Sequence, residues 1–306
     1  MKIFYQICLC FFFLISWMPA AYAKLNIVAT TPDLGALAKE IGRDMVNVTS
    51  IAMPTEDPHF TDARPGFIVR LNKADMLIES GMQLEIGWLP TLVHGARNRK
   101  ILPGSPGYLN ASTGISVLNV PNIPASGLRA MGDVHPMGNP HFTLDPISGY
   151  IAAANICERL CQIDQANCEY YRNNLEEFSG KLEQKLSEWQ NLLKPFQGTK
   201  IVTYHDTFPY FARRFNLDIV GTLEPKPGIT PSPTHLNALI PAMKRENVQL
   251  ILVEQFRERR TPEFVAAETG AKVVVLPIMV GGKKEINDYI SLIDYTVKQI
   301  ASALKT

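Results

Sequence analysis

This 306-residue chain has no His-Glu-x-x-His helix, no Gly-x-Ser-x-Gly elbow, no P-loop lysine motif and no Gly-x-Gly-x-x-Gly turn. Each of those spacings carries a mechanism of hydrolysis, phosphate binding or dinucleotide binding, so the commonest enzyme readings lose their support. Charge of one sign is lacking too. Thirty Lys and Arg stand against twenty-nine Asp and Glu, which argues against nucleic acid or an anionic membrane as partner. Beyond the first 23 residues no apolar run approaches the about 20 residues of a membrane span. Cysteine is scarce, five in all.

The first 23 residues read as a secretory signal. Lys2 gives a positive start, Ile7 to Trp17 an apolar segment, and Ala21-Tyr22-Ala23 a small-residue cleavage site before Lys24. Cleavage after Ala23 and a periplasmic location are therefore expected. Cys8 and Cys10 leave with the leader, and Cys157, Cys161 and Cys168 remain. In an oxidising compartment Cys161 and Cys168, flanking a helix break at residues 162–165, form the better-placed pair, since Cys157 and Cys161 share a helix face. Three buried thiols are the other reading.

The hydrophobic pattern alternates between strand and helix. Residues 25–31, 46–51 and 74–78 read as β-rich, with helical spacing at Leu34, Leu37, Ala38 and Ile41 and again at 67–72. Residues 101–140 are rich in Gly, Pro and Asn, with only a brief strand-like piece at 115–120. Helical spacing resumes at 145–160 and runs unbroken over 167–193, ended by Pro195 and Gly198. The alternation then restarts, with strands expected at 200–203, 218–222, 250–253 and 272–276. Helices are expected at 205–215, 234–246, 262–269 and 288–304. Such a pattern predicts an α/β protein of two lobes, each a mostly parallel sheet flanked by helices. The expected divisions are a leader over 1–23, an N-terminal lobe over 24–166, a linking helix over 167–196 and a C-terminal lobe over 197–306.

Three histidines, each at a strand end or a Pro-rich turn, carry the chemistry. They are His59 in Glu56-Asp57-Pro58-His59-Phe60, His141 in Gly138-Asn139-Pro140-His141-Phe142, and His205 in Thr203-Tyr204-His205-Asp206. Open α/β sheets bind ligands at the C-terminal edge of their strands. Three imidazoles brought together there offer a first-row metal most of a tetrahedral ligand set. His135 is a loop residue or an accessory contact, and His94 and His235 read as structural or exposed. A secreted zinc-dependent hydrolase is the alternative, with Glu56, Asp57 and Glu254 as available carboxylates.

These segments resemble those of the periplasmic zinc- and manganese-binding proteins of ABC transporters. The resemblance rests on Asp57-Pro58-His59, on Gly138-Asn139-Pro140-His141 with Leu144-Asp145-Pro146, and on Tyr204-His205-Asp206-Thr207-Phe208. It implies a non-enzymatic, exported protein that holds its metal between two lobes joined by a rigid helix and delivers it to a membrane permease; we expect a monomer. It also implies His59, His141 and His205 as ligands. The family's usual fourth ligand, an aspartate after the last strand, is missing, because that segment reads Leu276-Pro277-Ile278-Met279. Glu254, emerging from the apolar run Leu250 to Val253, is the carboxylate expected in its place, with Glu224 or water as alternatives. An imidazole-rich set favours zinc over manganese.

Overall fold

The computed structural model describes residues 23–121 and 134–305, so the expected leader lies, but for Ala23, outside the described residues. Two four-stranded sheets, parallel throughout, organise the rest. The first is built from β1 (Leu25–Ala29), β2 (Val46–Ser50), β3 (Met76–Glu79) and β4 (Tyr108–Asn110), in the order β2-β1-β3-β4. Helices α1 (Pro32–Gly42), α2 (Pro65–Asn72) and α3 (Leu89–Ala96) connect and cover it. The second sheet repeats the order with β5 (Lys200–Thr203), β6 (Asp218–Thr222), β7 (Leu250–Glu254) and β8 (Lys272–Leu276), arranged β6-β5-β7-β8. Its helices are α6 (Pro209–Phe215), α7 (Pro233–Glu246) and α8 (Arg260–Thr269).

Because each chain steps from its first strand outward and then back past it, a topological switch point falls between β1 and β3, and another between β5 and β7. Parallel strands covered on both faces need apolar residues throughout, and all five residues of β7 are buried. The crevices at the two switch points are where ligands of such sheets bind.

Between the sheets run α4 (Pro146–Ile163) and α5 (Cys168–Leu193), joined at the Cys161–Cys168 disulfide. Cys157 is a free, buried thiol. The spacing that predicted α5 is the spacing of its contacts: Tyr171, Phe178, Leu182, Trp189 and Leu193 are buried. Its 26 residues span about 39 Å at 1.5 Å per residue. The final helix, α9 (Tyr289–Lys305), turns back to pack on both α5 and α1.

Two differences from the sequence expectation have local causes. The strand-like piece at 115–120 joins no ladder, and the edge strand of the first sheet is instead the three-residue β4. The helix expected from residue 205 begins only at Pro209. Proline has no N–H to give and disfavours helical geometry in the residue before it, so it starts the helix there and leaves 205–208 as a turn.

Polar contacts hold the lobes in register. Asp145 caps α4 by accepting from the Ile147 N–H at 3.1 Å, and it receives the Arg214 guanidinium of α6 at 2.6 and 3.0 Å. Tyr289 Oη donates to the carbonyls of Thr143 and Asp145. Only glycine fits at 149, since a Cβ there would lie 2.0 Å from that hydroxyl. Asp33, in the first turn of α1, accepts from Thr143 Oγ1 at 3.0 Å and from the Val280 N–H at 2.9 Å.

Two outcomes follow from these contacts. Arg214→Met removes the nearer cation from a carboxylate that is 1 % exposed, leaving it Arg213 at 3.7 Å, and should cost about 2 kcal/mol in urea unfolding. Loss of only a few tenths would mean the pair is replaceable. Burial pushes the Asp33 carboxyl up to about 6, against the bonds from Val280 and Thr143. A raised acid keeps its proton in the folded chain where the unfolded chain has lost it. Its contribution is therefore full below about pH 4 and is lost as pH rises through 6. Asp33→Asn should remove a stability loss of roughly 3 kcal/mol between those limits, and an unchanged slope of stability against pH would refute it.

Candidate metal centre

His59 lies in a single 3₁₀ turn, Pro58–Phe60, after β2. Asp57 begins that turn and holds both the His59 N–H at 3.1 Å and its ring Nδ1 at 2.7 Å. The turn is pinned from below by Trp88, whose indole N–H donates to the Pro58 carbonyl at 3.0 Å. With Nδ1 engaged, Nε2 is the nitrogen left to ligate.

His141 follows the long Gly- and Pro-rich passage. Asn139 Oδ1 accepts from the His141 N–H at 2.9 Å, and Asn139 Nδ2 donates to the Asp206 carbonyl at 2.6 Å. One side chain thus ties the His141 segment to the residue after His205. Gly138 makes the approach possible: its φ is +101°, and a Cβ would collide with Val117 and the Leu118 carbonyl. Tyr210 Oη closes the same corner, donating to the Asn139 carbonyl and accepting from the Leu118 N–H.

His205 directly follows the end of β5, on the turn that Pro209 delimits. Its Nδ1 meets Glu224 Oε2 at 2.7 Å, and Thr203 Oγ1 donates to its carbonyl. Glu224 also accepts from the Gly228 N–H, so the carboxylate is held on both sides.

The three rings converge. One nitrogen from each of His59, His141 and His205 lies within 4.8 Å of the others, and all three residues are buried. Ring centroids are 5.1 Å apart for His59 and His141 and 5.4 Å for the other two pairs. Among the described residues, His141 Nε2 is buried without a hydrogen-bond partner. Burial and the other rings hold His141 well below its ordinary range, so its lone pair stays available. Burial opposes protonation of His205, but the Glu224 bond and the field of Glu254 outweigh it and leave the ring raised.

Glu254 ends β7, as the sequence placed it. It is wholly buried, and the Thr207 side chain and the Arg257 guanidinium are the groups that act on its carboxylate from nearby. Burial raises its carboxyl above the ordinary range, against the pull of His205. It stands outside the set of nitrogens that meet within 4.8 Å. The carboxylate that bonds the His205 ring is Glu224, named in the sequence only as an option for the fourth ligand.

Arg257 was not anticipated. Its guanidinium lies 3.2 Å from Asp57, 3.4 Å from Glu224 and 3.9 Å from Glu254. Burial disfavours the charged form of Asp57, yet the His59 bond and Arg257 still hold it down at about 2. Three carboxyl groups face one guanidinium beside the three imidazoles, so acidic groups outnumber the fixed cation around the cluster, a setting suited to a metal cation. No spacing rule points to Arg257, because Asp57 and Glu224 reach it from two distant loops and only Glu254 is its neighbour in sequence.

The remaining histidines divide. His135 Nε2 faces His59 Nε2 at 3.1 Å, whereas His235, on α7, is turned to the Thr222 carbonyl at 2.8 Å. His94 lies in α3.

Known proteins are similar to this chain over nearly its whole length. The manganese ABC transporter substrate-binding lipoprotein PsaA of Streptococcus pneumoniae is 26% identical over 290 residues, covering 92% of this chain and 89% of that one. The high-affinity zinc uptake system protein ZnuA of Bacillus subtilis is 27% identical over 285 residues, with 92% and 87% covered. A crystal structure of a ZnuA deletion mutant with zinc bound superposes with a TM-score of 0.76 at 26% identity, over 92% of this chain and 98% of that one. The manganese complex of the binding protein FpvC from Pseudomonas aeruginosa shares the fold, with a TM-score of 0.78 at 21% identity over 92% and 99%. The family model of ZnuA, the periplasmic zinc-uptake complex component A, matches residues 27–303. The chain therefore belongs to the ZnuA family of metal-binding, non-enzymatic components of ABC transporters.

Proposed function

We propose that this protein captures zinc in the crevice between its lobes and hands it, as a monomer in the periplasm, to the permease of a metal ABC transporter. The observation that carries the reading is the convergence of His59, His141 and His205, with the His141 lone pair buried and unused. A polar atom kept dry without a partner is costly unless something binds there. Three imidazoles suit zinc, while sites richer in carboxylate suit manganese. Relatives named for each metal exist, and the donor set of this chain is what supports zinc.

Asp57 and Glu224, accepting from the Nδ1 side of the His59 and His205 rings, orient them, the usual work of groups behind metal-bound histidines. Glu254 acts from the buried side, bound to the ion directly or through a water. Its charge brings a zinc–tris-histidine centre from +2 to +1, which eases burial.

Replacing His59, His141 or His205 by Ala should weaken zinc binding by orders of magnitude in competition titrations and leave the metal-free unfolding midpoint near wild type. Glu254→Gln should cost 10–100-fold. Saturating zinc should raise the unfolding midpoint as binding to the folded state alone requires. Wild-type affinity in all three histidine variants would overturn the site, and a preference for manganese over zinc would overturn the choice of metal.

A further inference from the structure

We infer that His135 is a fourth histidine ligand, taking the position Glu254 would otherwise fill, so that the loaded site presents four imidazoles to the ion and Glu254 acts through its charge alone; this rests on the zinc-capture reading above. The contact that points to it is nitrogen to nitrogen. His135 Nε2 lies 3.1 Å from His59 Nε2. Two nitrogens bound to one tetrahedral zinc at about 2.0–2.1 Å lie about 3.3 Å apart. The pair therefore stands within a few tenths of an ångström of a shared edge of that tetrahedron.

His59 has no other way to use Nε2, because its Nδ1 is committed to Asp57 at 2.7 Å. In the metal-free arrangement the two rings satisfy each other. An ion that takes both lone pairs replaces that contact without disturbing either backbone.

The surroundings place His135 as a partition. A cavity of about 460 Å³, lined by His59, Trp88, Ile86 and His135, opens on one side of its ring. A second, of about 210 Å³, is lined by His135, His141 and His205 together. His135 stands outside the group of nitrogens that meet within 4.8 Å, and the second cavity, which it lines with His141 and His205, is the space into which its ring would turn to join them. The turn His135–Gly138, closed by a bond from the Gly138 N–H to the His135 carbonyl at 3.0 Å, fixes the pivot.

The opposite wall is held in an unusual conformation. Gly81, Met82 and Gln83 are all left-handed, with φ of 87°, 52° and 66°. Consecutive non-glycine residues seldom adopt that region, and where they do, strain marks functional sites. Buried Glu85 holds this turn by accepting from the Ser80 and Gly81 N–H groups, and the Met82 backbone lies against the His135 ring. The ring is thus braced from behind, as metal-bound histidines are.

The test uses the full mature chain loaded with zinc. X-ray absorption should count four imidazoles in the wild type and three in His135→Ala. Zinc affinity by competition titration should fall at least tenfold in both His135→Ala and His135→Gln. Manganese affinity should fall less, narrowing the preference between the metals. Three imidazoles in the wild type, or zinc binding within twofold of wild type in both variants, would overturn the inference. If His135→Ala fails to fold, the wild-type imidazole count decides alone. Loss of binding in His59→Ala beside unchanged binding in His135→Ala sinks only the fourth ligand. Unchanged binding in both sinks the capture reading with it.

Discussion

One buried carboxylate fixes how the two halves of this molecule meet. Asp145 begins α4, four residues after His141, and grips Arg214 in α6, nine residues after His205. A helix start needs an acceptor for its free N–H groups, and a buried carboxylate needs a cation. A single side chain answers both demands and leaves little freedom in how far the His141 turn stands from the His205 turn. Asn139 and Tyr210 refine the same distance with lighter bonds. Without that register the imidazoles would belong to two separate surfaces.

Electrostatics around the cluster work in layers. Nearest the crevice are the imidazole rings, and behind them stand carboxylates, each paired with a ring or with Arg257. An ion arriving there meets lone pairs first and compensating charge second. That order lets the site stay folded when empty, because the acids already share one guanidinium. Glu254, 3.9 Å from that guanidinium, is the point where the sharing is incomplete.

Much of this was legible beforehand. Apolar runs such as Leu250 to Val253 and Lys272 to Leu276 leave little alternative to buried parallel strands, and the burial of β7 agrees residue by residue. The spacing of Phe178, Leu182, Trp189 and Leu193 likewise dictates a helix with one buried stripe. His59, His141 and His205 could be singled out because each follows a strand or a Pro-rich turn, where side chains face the sheet edge. What escaped were relations between loops. The ion pairs of Arg257 with Asp57 and Glu224, the ring-to-ring contact of His135 and the bond between His205 and Glu224 join positions 19 to 200 residues apart, and no local spacing encodes them. Short β4 escaped for a different reason: three residues beside glycines carry too little pattern to stand out.

The return of α9 has a consequence for how the protein comes into being. Tyr289 reaches from that helix to the carbonyls of Thr143 and Asp145, beneath the His141 turn, and seats itself over Gly149. A chain emerging in order from its first residue exposes His59, His141 and His205 long before Tyr289 exists. Until α9 docks, the turn that carries His141 lacks its floor, and the three histidines are separate side chains rather than a pocket. The site is thus complete only when nearly the whole chain has been made and the last helix has closed on α5, so a chain cut short of Tyr289 would keep every ligand residue and lose the geometry that groups them.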